Sequence, residues 1–241
     1  MVRKFLNSSL QQREFRYRGK EIFRIEGLSD AVFAFSVSLL VASLEVPQTF
    51  YELKEITKGA IPFFLTVALV FLFWYRQYIF FRRYGLNDLI TIILNLAYLA
   101  IVIFYLYPLK FLFSLLISSW FGVDLFAKAK HEGLVILSNN DFPQLIILFS
   151  LGYFMIWLII FLLHQHVIQL SDQFGFSKFE LLFTQKEVKG ALLNSFIGLL
   201  ALAFAYFDLE SYAGLCYFLI PIVLIVNHSI FRKKVKKIVK S

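Results

Sequence analysis

The stretch Arg24-Ile25-Glu26-Gly27-Leu28-Ser29-Asp30 runs directly into Ala31-Val32-Phe33-Ala34-Phe35-Ser36-Val37-Ser38-Leu39-Leu40-Val41-Ala42, and its reading decides the fold. An arginine and an aspartate stand at the mouth of an apolar segment long enough to cross a bilayer as a helix. Ionisable groups in that position are expensive in hydrocarbon and are kept for assembly or transport. Ser36 and Ser38, set among large apolar side chains, suit a helix that faces something other than lipid.

The rest of the chain agrees. Hydrophobic residues make up 59% and aromatic residues 19% of it, and the mean hydropathy is +0.73. A soluble domain lies nearer half apolar, so the composition indicates a membrane protein. The net charge is +8, but the Lys and Arg residues lie beside apolar segments, where anionic lipid attracts them. This implies membrane lipids as partners and argues against nucleic acid. The single cysteine, Cys216, lies inside an apolar run and excludes a disulfide within the chain.

Six apolar runs fall near 25–46, 60–82, 88–112, 143–169, 187–207 and 211–231. Each reaches the ~20 residues of a helical span. Strand alternation is absent, which argues against a barrel. The expected fold class is an all-α membrane protein with six transmembrane helices per chain. Its parts are a basic arm over 1–24, a six-helix domain over 25–231 and a basic tail over 232–241. Nineteen of the 24 Lys and Arg residues fall on one side of this arrangement. The positive-inside rule then places both termini in the cytoplasm of a multi-pass protein of a prokaryotic plasma membrane type. The arm at Arg13-Glu14-Phe15-Arg16-Tyr17-Arg18 and the tail at Arg232-Lys233-Lys234-Val235-Lys236-Lys237 are read as resting against anionic lipid heads.

Helix rise puts Ser29 and Asp30 of span 1, Trp74 and Arg76 of span 2 and Asn95 of span 3 at one depth, so they form a candidate polar layer. One reading is that the layer fastens spans 1 to 3 together; the other is a direct part in transport. An Arg24–Asp30 pair is expected within it. His164 and His166 are two residues apart, so they do not share a helix face, and no Cys or carboxylate cluster joins them. The chain carries no phosphate loop, nucleophile motif or metalloprotease motif, so neither an enzyme nor a cofactor is expected.

Arg24 followed after three residues by Leu28-Ser29-Asp30, then Asp30-Ala31-Val32-Phe33-Ala34, the ending Leu44-Glu45-Val46-Pro47, Trp74, and Leu94-Asn95-Leu96 together resemble the transmembrane protein 175 family. These are endolysosomal-type potassium channels and their prokaryotic relatives. Leu28 replaces the family's phenylalanine, and Gln77 and Tyr78 stand where relatives often carry histidines. The resemblance implies a pore lined by the first helix, with Phe35, Leu39 and Ala42 as narrow points and Ser38 between them. Those positions follow i, i+3, i+4, i+7 and share one helix face, a pattern that ordinary helix packing also produces. A single six-span unit per chain implies a homotetramer around the pore.

The expected function is a potassium-selective channel conducting through a hydrophobic constriction on the first helix. The alternatives are a secondary transporter, a proton-permeable channel of the same fold and a structural or lipid-binding membrane protein. Pro47, Pro62, Pro108 and Pro143 fall near expected span ends, and only Pro221 lies mid-span. No inverted repeat is evident, which favours the channel. No Thr-Val-Gly-Tyr-Gly loop is present, so potassium selectivity has to come from side chains.

Overall fold

A computed structural model of the chain describes residues 15–42, 46–138 and 141–240. Arg13, Glu14, Leu44 and Glu45, invoked above, lie outside the described residues. The described chain forms α1 (Arg24–Ala42), α2 (Phe50–Lys58), α3 (Ala60–Tyr84), α4 (Leu89–Phe121), α5 (Ala127–His131), α6 (Asp141–Gln169), α7 (Lys178–Tyr206), α8 (Glu210–Cys216) and α9 (Leu219–Lys240). No strand occurs among the described residues. Among the described residues six segments are long and apolar enough to cross a membrane: α1, α3, α4, α6, α7 and the α8–α9 stretch.

Three spans differ from the sequence expectation. The third continues past Pro108 to Phe121, so Pro108 is interior to α4 and not at a span end. The proline removes one backbone hydrogen bond, but in an apolar run the helix remains the conformation that satisfies the other backbone groups. The fifth begins at Lys178, well before its apolar core. There Ser177 and Glu180 form a capping box: Glu180 N–H donates to Ser177 Oγ and Ser177 N–H to Glu180 Oε2. The sixth is interrupted by a turn at Tyr217 and Phe218, so Pro221 sits in the first turn of α9 and not mid-helix. First-turn N–H groups lack helical acceptors, which is why proline is tolerated there.

The helix α4 is the hub. Asn95, Tyr98, Leu99, Val102, Tyr105, Leu106 and Leu109 are buried at helical spacing. All but Asn95 join Phe33 and Leu40 of α1, Val70 and Phe80 of α3 and Ile156, Ile160 and Leu163 of α6 in one apolar core. The helices α6 and α7 run close together because Gly198 lacks a side chain: a Cβ there would lie 2.9 Å from Phe154 Cα. A smaller cluster around Ile146, Ile197, Ala201 and Cys216 ties α8 to this pair.

Before α1, residues 16–19 form a strap over the arm-side ends of α3 and α7. Arg18 N–H donates to Arg83 O and Gly19 N–H to Arg82 O, both at 3.2 Å. Gly85, in the left-handed region at φ 61°, caps α3 and lets the strap pass: a Cβ there would lie 2.9 Å from the Arg18 carbonyl carbon. Glu180 is 1% exposed and accepts from Arg16 N–H at 3.0 Å and from Arg18 Nη1 at 2.8 Å and Nη2 at 3.2 Å.

Candidate functional site

The first helix has two faces. Ile25, Ser29, Phe33, Ser36 and Leu40 are buried and pack toward α3 and α4. Leu28, Asp30, Ala31, Ala34, Phe35, Ser38, Val41 and Ala42 are exposed on the single chain. Phe35 is 59% exposed, beside buried neighbours at Phe33 and Ser36. Of the four residues assigned to a pore, Phe35, Ser38 and Ala42 are exposed, and Leu39 is half-buried at the edge of the same face. On a membrane-spanning helix such a face is open to lipid, to another copy of the chain or to a pathway.

Ser38 donates its hydroxyl hydrogen to Ala34 O at 3.1 Å. Its donor capacity is therefore spent inside the helix, and its oxygen lone pairs remain available on the exposed face. A hydroxyl held this way can act only as an acceptor, which is what a cation requires.

The polar layer divides in two. In the buried part, Asn95 Nδ2 donates to Ser29 Oγ at 2.9 Å, and Gln77 Nε2 donates to Asn95 Oδ1 at 3.0 Å. Ser29 donates onward to Ile25 O at 2.7 Å. This chain links α1, α4 and α3. In the exposed part, Trp74 Nε1 donates to Asp30 Oδ1 at 2.7 Å, and Trp74 stacks on Tyr78 with ring centroids 5.6 Å apart.

Two residues were placed differently by sequence reasoning, and a third was missed. Arg76 does not join Asp30. It is two residues from Trp74, about 200° around the helix, so it faces the opposite way. There it lies 3.7 Å from Glu187 and 4.8 Å from the Trp157 ring centroid. Arg24 is exposed and makes no ion pair among the described residues, so the expected Arg24–Asp30 contact does not form within one chain. Gln77 was noted only as a departure from relatives, yet it completes the network. Its spacing of i+3 from Trp74 was the available signal.

His164 and His166 take separate partners. His164 Nδ1–H donates to Ile160 O at 2.8 Å. His166 Nε2–H donates to Asp88 Oδ2 at 2.8 Å, and Thr91 Oγ1 donates to Asp88 Oδ1 at 2.6 Å. Burial works to raise the Asp88 carboxyl, but the hydrogen bonds from Thr91 and His166 outweigh it and hold it below the usual carboxylate range.

Comparison with known proteins identifies the arrangement. The family described as endosomal/lysosomal potassium channel TMEM175 matches residues 24–105, which hold α1, its polar layer and the first part of α4. A potassium channel of Marivirga tractuosa is 34% identical over 240 residues, covering 94% of each chain. A crystal structure of a variant of the potassium channel MtTMEM175, in complex with a nanobody–MBP fusion protein, superposes with a TM-score of 0.79. It is 33% identical, covering 95% of this chain and 99% of that one. A lysosomal potassium-selective channel TMEM175 homologue from Chamaesiphon Minutus shares the fold alone, with a TM-score of 0.53 at 18% identity over 85% of this chain and 96% of that one. The molecule is an integral multi-pass membrane protein, and the chain belongs to the TMEM175 family of potassium channels.

Proposed function

We propose that the protein conducts potassium selectively through a pore lined by the exposed face of α1, in a symmetric homotetramer. The observation that carries this reading is that face itself. Phe35, Ser38 and Ala42 are uncovered, while the opposite face of the same helix is fully packed. One copy cannot enclose a path, whereas four copies turn each position into a ring. Rings of Phe35 and Leu39 form an apolar constriction that excludes water, and the Ser38 ring supplies oxygens that replace part of the ion's hydration. The polar layer then holds α1 in register, with Asp30, Trp74 and Arg24 at the arm-side mouth. Both termini lie in the cytoplasm of a plasma membrane, by the distribution of Lys and Arg.

The test is ion flux through purified protein in liposomes, comparing potassium with sodium at matched protein density. Phe35→Ala raises total flux and weakens the potassium preference. Ser38→Ala weakens the preference with a smaller effect on total flux. If both variants match the wild type in both respects, α1 does not line the path. A mass measurement in detergent that finds a conducting monomer rejects the tetramer.

A further inference from the structure

Away from α1, the arm-side half of the bundle holds a charged cleft that the pore reading does not use. Between α3, α4, α6 and α7 lies a cavity of about 270 Å³. Its walls include the apolar Leu72, Ile79 and Leu163 and the cations Arg76 and Arg83. A second cavity of about 280 Å³ shares Arg76 and Glu187 and adds Lys186. Among the described charged residues that line the two, three cations face one carboxylate. Glu187 serves two of them, Lys186 at 3.2 Å and Arg76 at 3.7 Å. Arg83 has no carboxylate partner among the described residues; its guanidinium lies over the Phe183 ring at 4.6 Å, and Lys186 Nζ lies over the same ring at 5.2 Å.

This excess has a direction. Arg83 is the last residue but one of α3, at headgroup depth, and Arg76 lies about two turns, or about 10 Å, further in. The apolar Ile79 and Leu72 continue along the same helix into the span. A positive excess at the membrane boundary is costly unless an anion meets it, and the anion present at that depth is a lipid phosphate. We propose that this cleft binds an anionic phospholipid, its phosphate held by Arg83 and Lys186 and an acyl chain lying along Ile79 and Leu72. Both cations lie against the same aromatic ring, which holds them near one another without neutralising either one. This site is independent of which helix lines the pore.

The full chain, purified in mild detergent, is titrated with phosphatidylglycerol, phosphatidylcholine or inorganic phosphate, and retained lipid is counted by native mass spectrometry. Phosphatidylcholine carries the same phosphate but adds a choline cation that the positive excess repels, so phosphatidylglycerol is expected to be retained more tightly by about tenfold. Arg83→Gln abolishes that preference, Arg83→Lys keeps it, and Lys54→Gln, the same charge change on exposed α2, leaves it intact. Equal retention of the two lipids, an unchanged preference in Arg83→Gln, or the same loss in Lys54→Gln overturns the site. Inorganic phosphate that displaces phosphatidylglycerol at equal concentration also overturns it, since an anion would then bind with no use for the acyl chain. Should Arg83→Gln fail to assemble, Lys186→Gln is read by the same criteria.

Discussion

Ser29 and Asn95 lock α1 to α4 through a single hydroxyl that both gives and receives. Ser29 Oγ accepts from Asn95 Nδ2 at 2.9 Å and donates to Ile25 O at 2.7 Å, with both residues fully buried. Neither group meets water, so the loss of one partner strands the other.

Asn95→Ala removes the partner of both Ser29 and Gln77. It is expected to destabilise the protein by about 2 kcal/mol, the cost of leaving buried polar groups unpaired. Ser29→Ala strands only one donor of Asn95 and costs less. Thermal unfolding in detergent ranks the two, and the reverse order would show that the network does not carry the contact between α1 and α4.

Asp30 and Trp74 form the exposed half of the layer, and solvent reduces the value of their bond. Trp74→Phe is expected to cost about 1 kcal/mol, as for an ordinary net hydrogen bond. Asp30→Asn keeps an acceptor for the indole and costs less than Asp30→Ala. Because Arg24 is not paired with Asp30 in one chain, Asp30→Ala strands no buried cation there. If Asp30→Ala reduces the yield of the proposed homotetramer far more than Trp74→Phe does, Asp30 has a second partner across a subunit boundary.

Glu180 carries the strap and the α7 cap at once. Glu180→Ala leaves Arg18, itself only 18% exposed, without its carboxylate, and is expected to cost about 3 kcal/mol or more. Glu180→Gln keeps the cap geometry while losing the charge, so its cost is smaller. Proteolysis of the arm reports the strap directly: both variants expose residues 16–19 to cleavage, the alanine variant faster.

Asp88, hydrogen-bonded by Thr91 and His166, gives an acid limb to stability. The folded carboxyl is held below its ordinary value of about 3.9, so its contribution is complete above that value and is lost as pH falls through the depressed one. Unfolding temperature is therefore expected to fall below about pH 4, and Asp88→Asn flattens that limb while lowering stability near about pH 7. An acid limb of the same slope in Asp88→Asn would place its origin in another carboxylate.

The sequence made legible what periodicity and hydropathy encode. Six apolar runs became six spans, and the spacing of Phe35, Ser38 and Ala42 placed them on one exposed face. Equal depth correctly brought Ser29 to Asn95 and Asp30 to Trp74. Depth says nothing about azimuth, which is why Arg76 was misassigned: its rotation from Trp74 turned it toward Glu187. Hydropathy averages also miss interruptions that cost little. Pro108 did not end α4, and the turn at Tyr217 and Phe218 divided a run that reads as continuous. The strap was illegible because it is built from backbone contacts between Arg18, Gly19, Arg82 and Arg83, which leave no pattern in side-chain type.

The strap turns α1 into a lever. Gly19 is fixed to Arg82, and only four residues separate it from the start of the helix, where Glu26 Oε1 accepts from Phe23 N–H at 2.9 Å. The near end of α1 therefore has little freedom to slide along its axis, while the far end at Ala42 stands about 27 Å away. A swing of about 5° about that fulcrum moves Ala42 by about 2 Å, and the residues near Arg24 hardly at all. Phe35 and Ser38, more than halfway along the helix, travel over 1 Å in the same swing. The strap thus leaves any rearrangement of α1 to its far half, where the proposed pore positions lie.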